Sequence, residues 1–261
     1  MSVLSWQAGA AGGAFLNGTL IQGIIAAYDT SYVPKRWQGT LFVFMVAFIQ
    51  LIVNGIFVNQ LPRLQKIMAF PHGLGWIPVV VVLWVLAPHA SAHDVFFNWE
   101  SFGWQNMGLS VMVGQVTTIY FLIASDSAAH LAEEVKSASK AVPRAMMWAF
   151  TVNALIGFVV LTTFLFALPD VAATFDFALN PSGYAFIYVL KNASYNGGIV
   201  LYVLIQMVIL TGSIDANAST ARQTFAFARD HGLPFGGWVA KVSRVSHAIV
   251  LVAEMFLTCG F

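Results

Sequence analysis

Charge is scarce in this sequence. Asp, Glu, Lys and Arg make up 9% of its 261 residues, against about 25% in soluble globular chains. With 59% hydrophobic residues and a mean hydropathy of +0.77, a soluble domain is excluded and a lipid bilayer is the expected environment. The net charge is +1, with neither a basic stripe nor a basic tail, which excludes a nucleic-acid partner. There is one cysteine, Cys259, so no intrachain disulfide framework exists and cysteine usage does not fix a compartment. Met1–Ser5 carries no positive charge and runs straight into a long segment of small residues, so it does not read as a cleaved signal peptide.

What the sequence has instead is apolar length. Seven membrane-length segments are predicted, at about 4–27, 38–58, 67–87, 104–126, 145–168, 198–221 and 245–261, giving an all-α integral membrane protein with a single transmembrane domain over 1–261. The first is rich in glycine and alanine and carries Gln7, Asn17 and Gln22, a composition suited to the interior of a bundle. The second is a plain lipid-type run ending at Asn54, Gly55 and Asn59, and is expected at the periphery. The third holds Pro71, His72, Gly73, Gly75 and Pro78, so a kink is expected there, with His72 packed against a neighbour. Pro143 is placed at the first turn of the fifth segment. The stretch Tyr184–Leu190 is too short to span and reads as a surface or re-entrant helix. Asp215 is an acid near membrane depth, and the seventh segment is still apolar at Phe261, as in a chain cut short.

Basic residues orient the segments. With the first entering from the cytosol, nine of the twelve Lys and Arg fall on inner loops: Arg63, Lys66, Lys136, Lys140, Arg144, Arg222, Arg229, Lys241 and Arg244. Lys35, Arg36 and Lys191 fall outside, and the positive-inside rule selects this direction. Asn192-Ala193-Ser194, a glycosylation triplet, then faces out.

The fourth segment ends in the most informative residues. From Gly103 to Ser125 there is no charged side chain, and then Asp126 stands among Ala124, Ser125, Ser127, Ala128 and Ala129. A carboxylate at the centre of a membrane helix costs about 2.5–3.5 kcal/mol on insertion scales, so it should face protein or water. The small neighbours let a ligand or a backbone approach, and their hydroxyls can satisfy a locally opened helix. An acid at the membrane interface that snorkels or caps a helix fits the same residues.

The run Asp126-Ser127-Ala128-Ala129-His130-Leu131-Ala132-Glu133-Glu134-Val135, followed by Ala138-Ser139 and Val142-Pro143-Arg144-Ala145-Met146, resembles the signature after the sixth span of the fungal amino acid, polyamine and choline permeases of the APC superfamily. Ala218-Ser219-Thr220-Ala221-Arg222, then Phe225-Ala226-Phe227-Ala228-Arg229-Asp230 and Gly232-Leu233-Pro234, resembles that family's loop between spans eight and nine. Trp6-Gln7-Ala8-Gly9 with Gly13-Ala14-Phe15-Leu16 and Gly18-Thr19 resembles its span three. The resemblance implies a partial LeuT-like fold of five-plus-five inverted repeats, with this chain holding spans three to nine of twelve. The glycine-rich turn of the family's first span is not among these residues, and Ala124 and Ser127 stand where glycine is common in the family.

Carried onto this chain, the resemblance implies that Tyr120, Ala124, Ser125 and Asp126, with Ala8, Gly9, Gly12 and Asn217, line a substrate cavity. Tyr120 would offer an aromatic face to an ammonium group, and Asp126 would act as a ligand, a gate or a proton site. It further implies a secondary carrier of a small amine (amino acid, 4-aminobutyrate, polyamine or choline) working by alternating access with a coupling proton, without enzymatic activity or cofactor. The plasma membrane is the expected location, with the vacuole or another endomembrane left open. Three other readings are weaker. A transport-inactive remnant or regulatory partner of an intact permease is one. A metal site on His130, Glu133 and Glu134, which share one helical turn, lacks further ligands. A serine hydrolase built on Ser127 and His130 lacks a nucleophile elbow.

Overall fold

A computed structural model describes residues 2–99, 101, 103–119, 122, 123, 125–130, 132, 135–232 and 236–239. Those residues form helices and turns, with no strand among them. In chain order the helices are α1 (Ser2–Tyr28), α2 (Arg36–Gly55), α3 (Leu61–Leu74), α4 (Trp76–Leu86), α5 (Ala92–Phe97), α6 (Met107–Ile119), α7 (Ser127–His130), α8 (Ala138–Phe166), α9 (Ala185–Ala193), α10 (Tyr195–Arg229) and α11 (Gly236–Val239). Five stretches are long and apolar enough to cross a membrane: Val3–Tyr28, Arg36–Gly55, Val58–Leu86, Ala138–Phe166 and Tyr195–Arg229. These match five of the expected segments. The fourth is represented by the shorter α6, and the seventh, with Cys259, lies outside the described residues. The chain is a multi-pass membrane protein.

Two compact units are present, one formed by 1–79 with 172–261 and the other by 80–171. In the first, α1 packs on α2 and α10, while α9 and α3 each pack on α10. Small residues make these contacts possible. A Cβ on Gly18 would stand 2.6 Å from the backbone nitrogen of Val43, and one on Gly13 would stand 3.0 Å from the Cβ of Ser213. Glycine at both positions lets α1 approach α2 and α10 backbone to backbone, which in lipid raises dispersion contact where no hydrophobic driving force exists. Ala14, Val43, Val46 and Ala47 fill one core, and Leu20, Ala27, Ile187 and Tyr202 the other.

The helix ends are closed by local chemistry. At the α1 terminus Lys191 Nζ donates to the carbonyl of Ala27 and stands 5.7 Å from the centre of the Tyr28 ring, a cation placed where the last carbonyls are unsatisfied. In the following turn the hydroxyl and backbone N–H of Ser31 donate to Asp29 and hold its carboxyl below the usual aspartate range. Ser194 begins α10 by accepting from the Gly197 N–H, a normal N-cap. At the other end, His231 N–H reaches Ala228 O at 3.1 Å and Gly232 N–H reaches Phe227 O at 2.9 Å. This is the Schellman pattern, with His231 in the left-handed region at φ 58°. A Cβ on Gly232 would collide with the Phe227 ring. Part of the Phe225–Gly232 motif is thus a helix stop.

One local expectation, the place of Pro143, is corrected, and two others gain detail. The second segment packs by one face: Gly39, Val43, Val46, Ala47, Gln50 and Asn54 of α2 are buried, a stripe at helical spacing that faces α1 and α10, while Leu41, Phe44, Met45 and Phe48 stay exposed. Pro143 is not at a first turn, because α8 starts five residues earlier at Ala138. Ser137 (φ 57°) opens that helix by accepting from Lys140 and Ala141 N–H, and Pro143 removes only the one N–H that would have reached residue 139. At the prolines of the third segment one residue, Gly75, separates α3 from α4, and it keeps helical dihedrals and donates to Pro71 O at 2.8 Å, so Val58–Leu86 remains one membrane-length stretch.

In the second unit, Trp84 Nε1 donates to Thr163 Oγ1 at 3.1 Å and its ring packs on His89 and Phe166. The Ala90 N–H donates to Phe166 O at 2.8 Å. These bonds tie the end of α4 to the end of α8.

Candidate functional site

Asp126 stands where a helix break is expected. Among the described residues α6 runs Met107–Ile119 and α7 Ser127–His130, and between them Ser125 and Asp126 lie in a turn, with Ser125 N–H donating to Leu122 O at 3.3 Å and Ala129 N–H to Asp126 O at 2.9 Å. Ser125 is partly buried and Asp126 exposed within their unit. Small residues at 124–129 offer little side-chain packing to hold a continuous helix, and Ser and Asp compete for the backbone through local hydrogen bonds. Tyr120, Ala124, Glu133 and Glu134 lie outside the described residues, as does the side chain of His130.

The remaining predicted site residues belong to the other unit. Ala8, Gly9 and Gly12 share the exposed face of α1, and a Cβ on Gly9 or Gly12 would meet nothing within 4 Å. Asn217 lies elsewhere: it is 6% exposed and donates from Nδ2 to Gln50 Oε1 at 3.2 Å. The structure therefore groups the three α1 residues but sets Asn217 inside the bundle.

There it joins a polar network between α1, α2 and α10 that the sequence did not disclose. Tyr202 OH donates to Gln206 Oε1 (3.0 Å), Gln206 Nε2 to Asn17 Oδ1 (2.9 Å), and Asn17 Nδ2 to both Gly13 O (2.8 Å) and Ser213 Oγ (3.1 Å). Gln50 Nε2 also donates to Ser213 Oγ (3.0 Å), which in turn donates to Leu210 O (2.8 Å). One hydroxyl thus uses its single donor and both acceptor sites. One turn along α2, Asn54 Nδ2 donates to Ile214 O at 3.1 Å. The signal was available: Gln50 and Asn54, four apart, extend the small-residue stripe of α2, and polar side chains in a span are expected to face protein. Among the described residues the Oδ1 atoms of Asn54 and Asn217 are buried without a hydrogen-bond partner.

A second cluster lies beside the network. Gln65 Nε2 on α3 donates to Asp215 Oδ1 on α10, whereas His72, two turns further along α3, is exposed rather than packed against a neighbour. Among the described residues no three His, Cys, Asp or Glu side chains converge as a metal site.

The amide network fixes α1, α2 and α10 against one another, and a turn in the other unit exposes an acid. The amino acid permease family matches residues 1–260. A protein of Macrophomina phaseolina assigned as an amino acid/polyamine transporter is 25% identical over 231 residues, covering 87% of this chain and 50% of that protein. The choline transporter of Saccharomyces cerevisiae is 25% identical over 250 residues (93% and 43%), and an amino-acid permease of Arabidopsis thaliana is 26% identical over 243 (86% and 46%). The chain spans about half the length of these curated relatives. No solved structure matches it. A family match over nearly every residue, on an all-helical chain with five apolar membrane-length stretches, shows that the chain belongs to the amino acid permease family.

Proposed function

We propose that the protein is a secondary carrier that moves a small amine (an amino acid, 4-aminobutyrate, a polyamine or choline) across a membrane by alternating access, driven by a coupling proton. The observation that carries this reading is Asp126 in the turn between α6 and α7. A turn in a membrane helix can present its carboxylate to a cationic or zwitterionic ligand. Tyr120, Ala124 and Ser125 would complete that side of the cavity, with Tyr120 giving an ammonium group an aromatic face worth about 0.5–2 kcal/mol. Ala8, Gly9 and Gly12 leave open space on α1, and Asn217 keeps a buried amide oxygen for a ligand N–H. Named relatives that carry amino acids or choline support the substrate class. In this reading the chain does no covalent chemistry, and the plasma membrane is its place of action.

The test is Asp126→Asn in the full-length protein that carries this chain, assayed with radiolabelled choline, 4-aminobutyrate and basic amino acids. Uptake should fall at least tenfold with membrane abundance unchanged, since a lost charge-assisted contact of about 1.5–3 kcal/mol is roughly a 10- to 100-fold loss of affinity. Unchanged uptake would make the acid structural.

A further inference from the structure

The stretch Val58–Leu86 has 29 residues, about 43 Å as a helix against a hydrocarbon core of about 30 Å, so part of it stands in the headgroup layer. Its charges show which part. Between Arg36 and Asp94 the only Asp, Glu, Lys or Arg residues are Arg63 and Lys66. From Ile67 to Leu86 the chain is uncharged over about 20 residues, or about 30 Å. That fit sets the two cations at the boundary between headgroups and acyl chains.

Helical spacing puts Arg63 and Lys66 on one side of α3 with Ile67, Phe70 and Leu74: at 3.6 residues per turn the five fall within an arc of about 100°. All five are exposed, and a Cβ on Gly73, beside Phe70 and Leu74, would meet nothing within 4 Å. The helix packs on α10 by its other side, where Gln65 donates to Asp215 and a Cβ on Gly75 would crowd Leu204. Gln65 lies about 100° round the helix from Lys66 and about 160° from Arg63, so Asp215 is turned away from both cations. Neither α2, α3 nor α4 contains an Asp or Glu. Arg63 donates to Gln60 Oε1 at 3.4 Å, a neutral acceptor.

We propose that this face of α3 binds an anionic phospholipid, with the headgroup phosphate on Arg63 and Lys66 and an acyl chain along Ile67, Phe70 and Leu74. A phospholipid is the occupant whose chemistry matches the face along its length: negative charge at headgroup depth, then hydrocarbon. A free anion would leave the three apolar side chains uncovered, and an apolar helix from elsewhere in the full-length protein would leave the two cations without an acid. In the orientation that the basic residues select, this end faces the cytosol, the side on which anionic lipids lie. Binding of the lipid needs no transport activity.

The experiment uses the full-length protein in nanodiscs containing a phosphatidylserine with a photoreactive acyl chain, and maps the crosslinked peptides by mass spectrometry. Illumination should label α3 within Ile67–Leu74. Each basic residue near an anionic headgroup contributes about a fivefold gain in affinity, so dioleoyl phosphatidylserine should compete for this labelling about 30-fold better than dioleoyl phosphatidylcholine. Arg63→Gln/Lys66→Gln should reduce that preference to below about fivefold, while Lys35→Gln/Arg36→Gln, on the loop between α1 and α2, should leave it unchanged. Equal competition by the two lipids in wild-type protein would make the face ordinary lipid contact and overturn the assignment. Absence of α3 labelling would mean that another span covers the face, and competition by soluble glycerophosphoserine as strong as by the intact lipid would mean a free-anion site. Either result also overturns it.

Discussion

Ser213→Ala is the sharpest probe of the bundle interior. The substitution keeps the Cβ that fills the space against Gly13, where an added Cβ would lie 3.0 Å away, and deletes only the hydroxyl. Two N–H groups then lose an acceptor: that of Gln50, bonded at 3.0 Å, and one of the two on Asn17, bonded at 3.1 Å. The other Asn17 N–H retains Gly13 O at 2.8 Å. In water-soluble proteins two orphaned donors would cost about 2–6 kcal/mol. In bilayers, interhelical bonds average about 0.6 and reach about 1.7 kcal/mol, because separated helices find other partners. The membrane values govern here, so two lost bonds amount to about 1–3 kcal/mol of destabilisation. Reversible unfolding in mixed detergent micelles, titrated with SDS, reads this directly. The double variant with Gln50→Leu removes the orphaned amide and should be less destabilised than the sum of the singles by at least about 0.5 kcal/mol. Additivity within about 0.3 kcal/mol would show that the two side chains are not coupled and would refute the network.

Further outcomes follow from particular contacts. Gly18→Ala drives a Cβ to within 2.6 Å of Val43 N and should destabilise the protein by about 1–3 kcal/mol through overpacking, whereas Gly212→Ala, which meets nothing within 4 Å, should be neutral or stabilising in the same unfolding titration. At Asp29, whose carboxyl Ser31 holds below the usual range, the folded form takes up its proton less readily than the unfolded chain. Its stabilisation is therefore complete above the ordinary value of about 3.9 and is lost as pH falls through the lowered one. An acid titration followed at the Ser31 amide by NMR should have its midpoint below that value, and Ser31→Ala should raise it; an unmoved midpoint would contradict the assignment. From the distribution of basic residues, the Ser137–Arg144 segment should be cytosolic. Labelling of a cysteine introduced there by an impermeant reagent on intact cells would reverse the orientation.

Legibility in the sequence divided along a physical line. The apolar runs and the short small-residue stretch around Ser125–Asp126 are local. They depend on transfer free energy over about 20 residues and on backbone competition within one turn, so composition and short motifs disclosed them. The start of α8 was misplaced because Pro143 suits a first turn as well as the interior position it occupies, and only the turn at Ser137 distinguishes the two. The buried face of α2 was illegible for a similar reason: a helix of Leu, Val, Phe and Ile is equally suited to lipid and to protein.

By itself the sequence determined that this is a multi-pass helical membrane protein with an acid at the end of an uncharged run, and its motifs pointed to the permeases. Only the tertiary structure decided that Gln50 and Asn54 face inward, that Asn217 belongs to the network around Ser213, and that Asp215 meets Gln65. These pairs are separated by about 150 residues or more along the chain. Which of several polar side chains meet is set by where Gly13 and Gly18 allow the helix backbones to touch, and no local pattern contains that information.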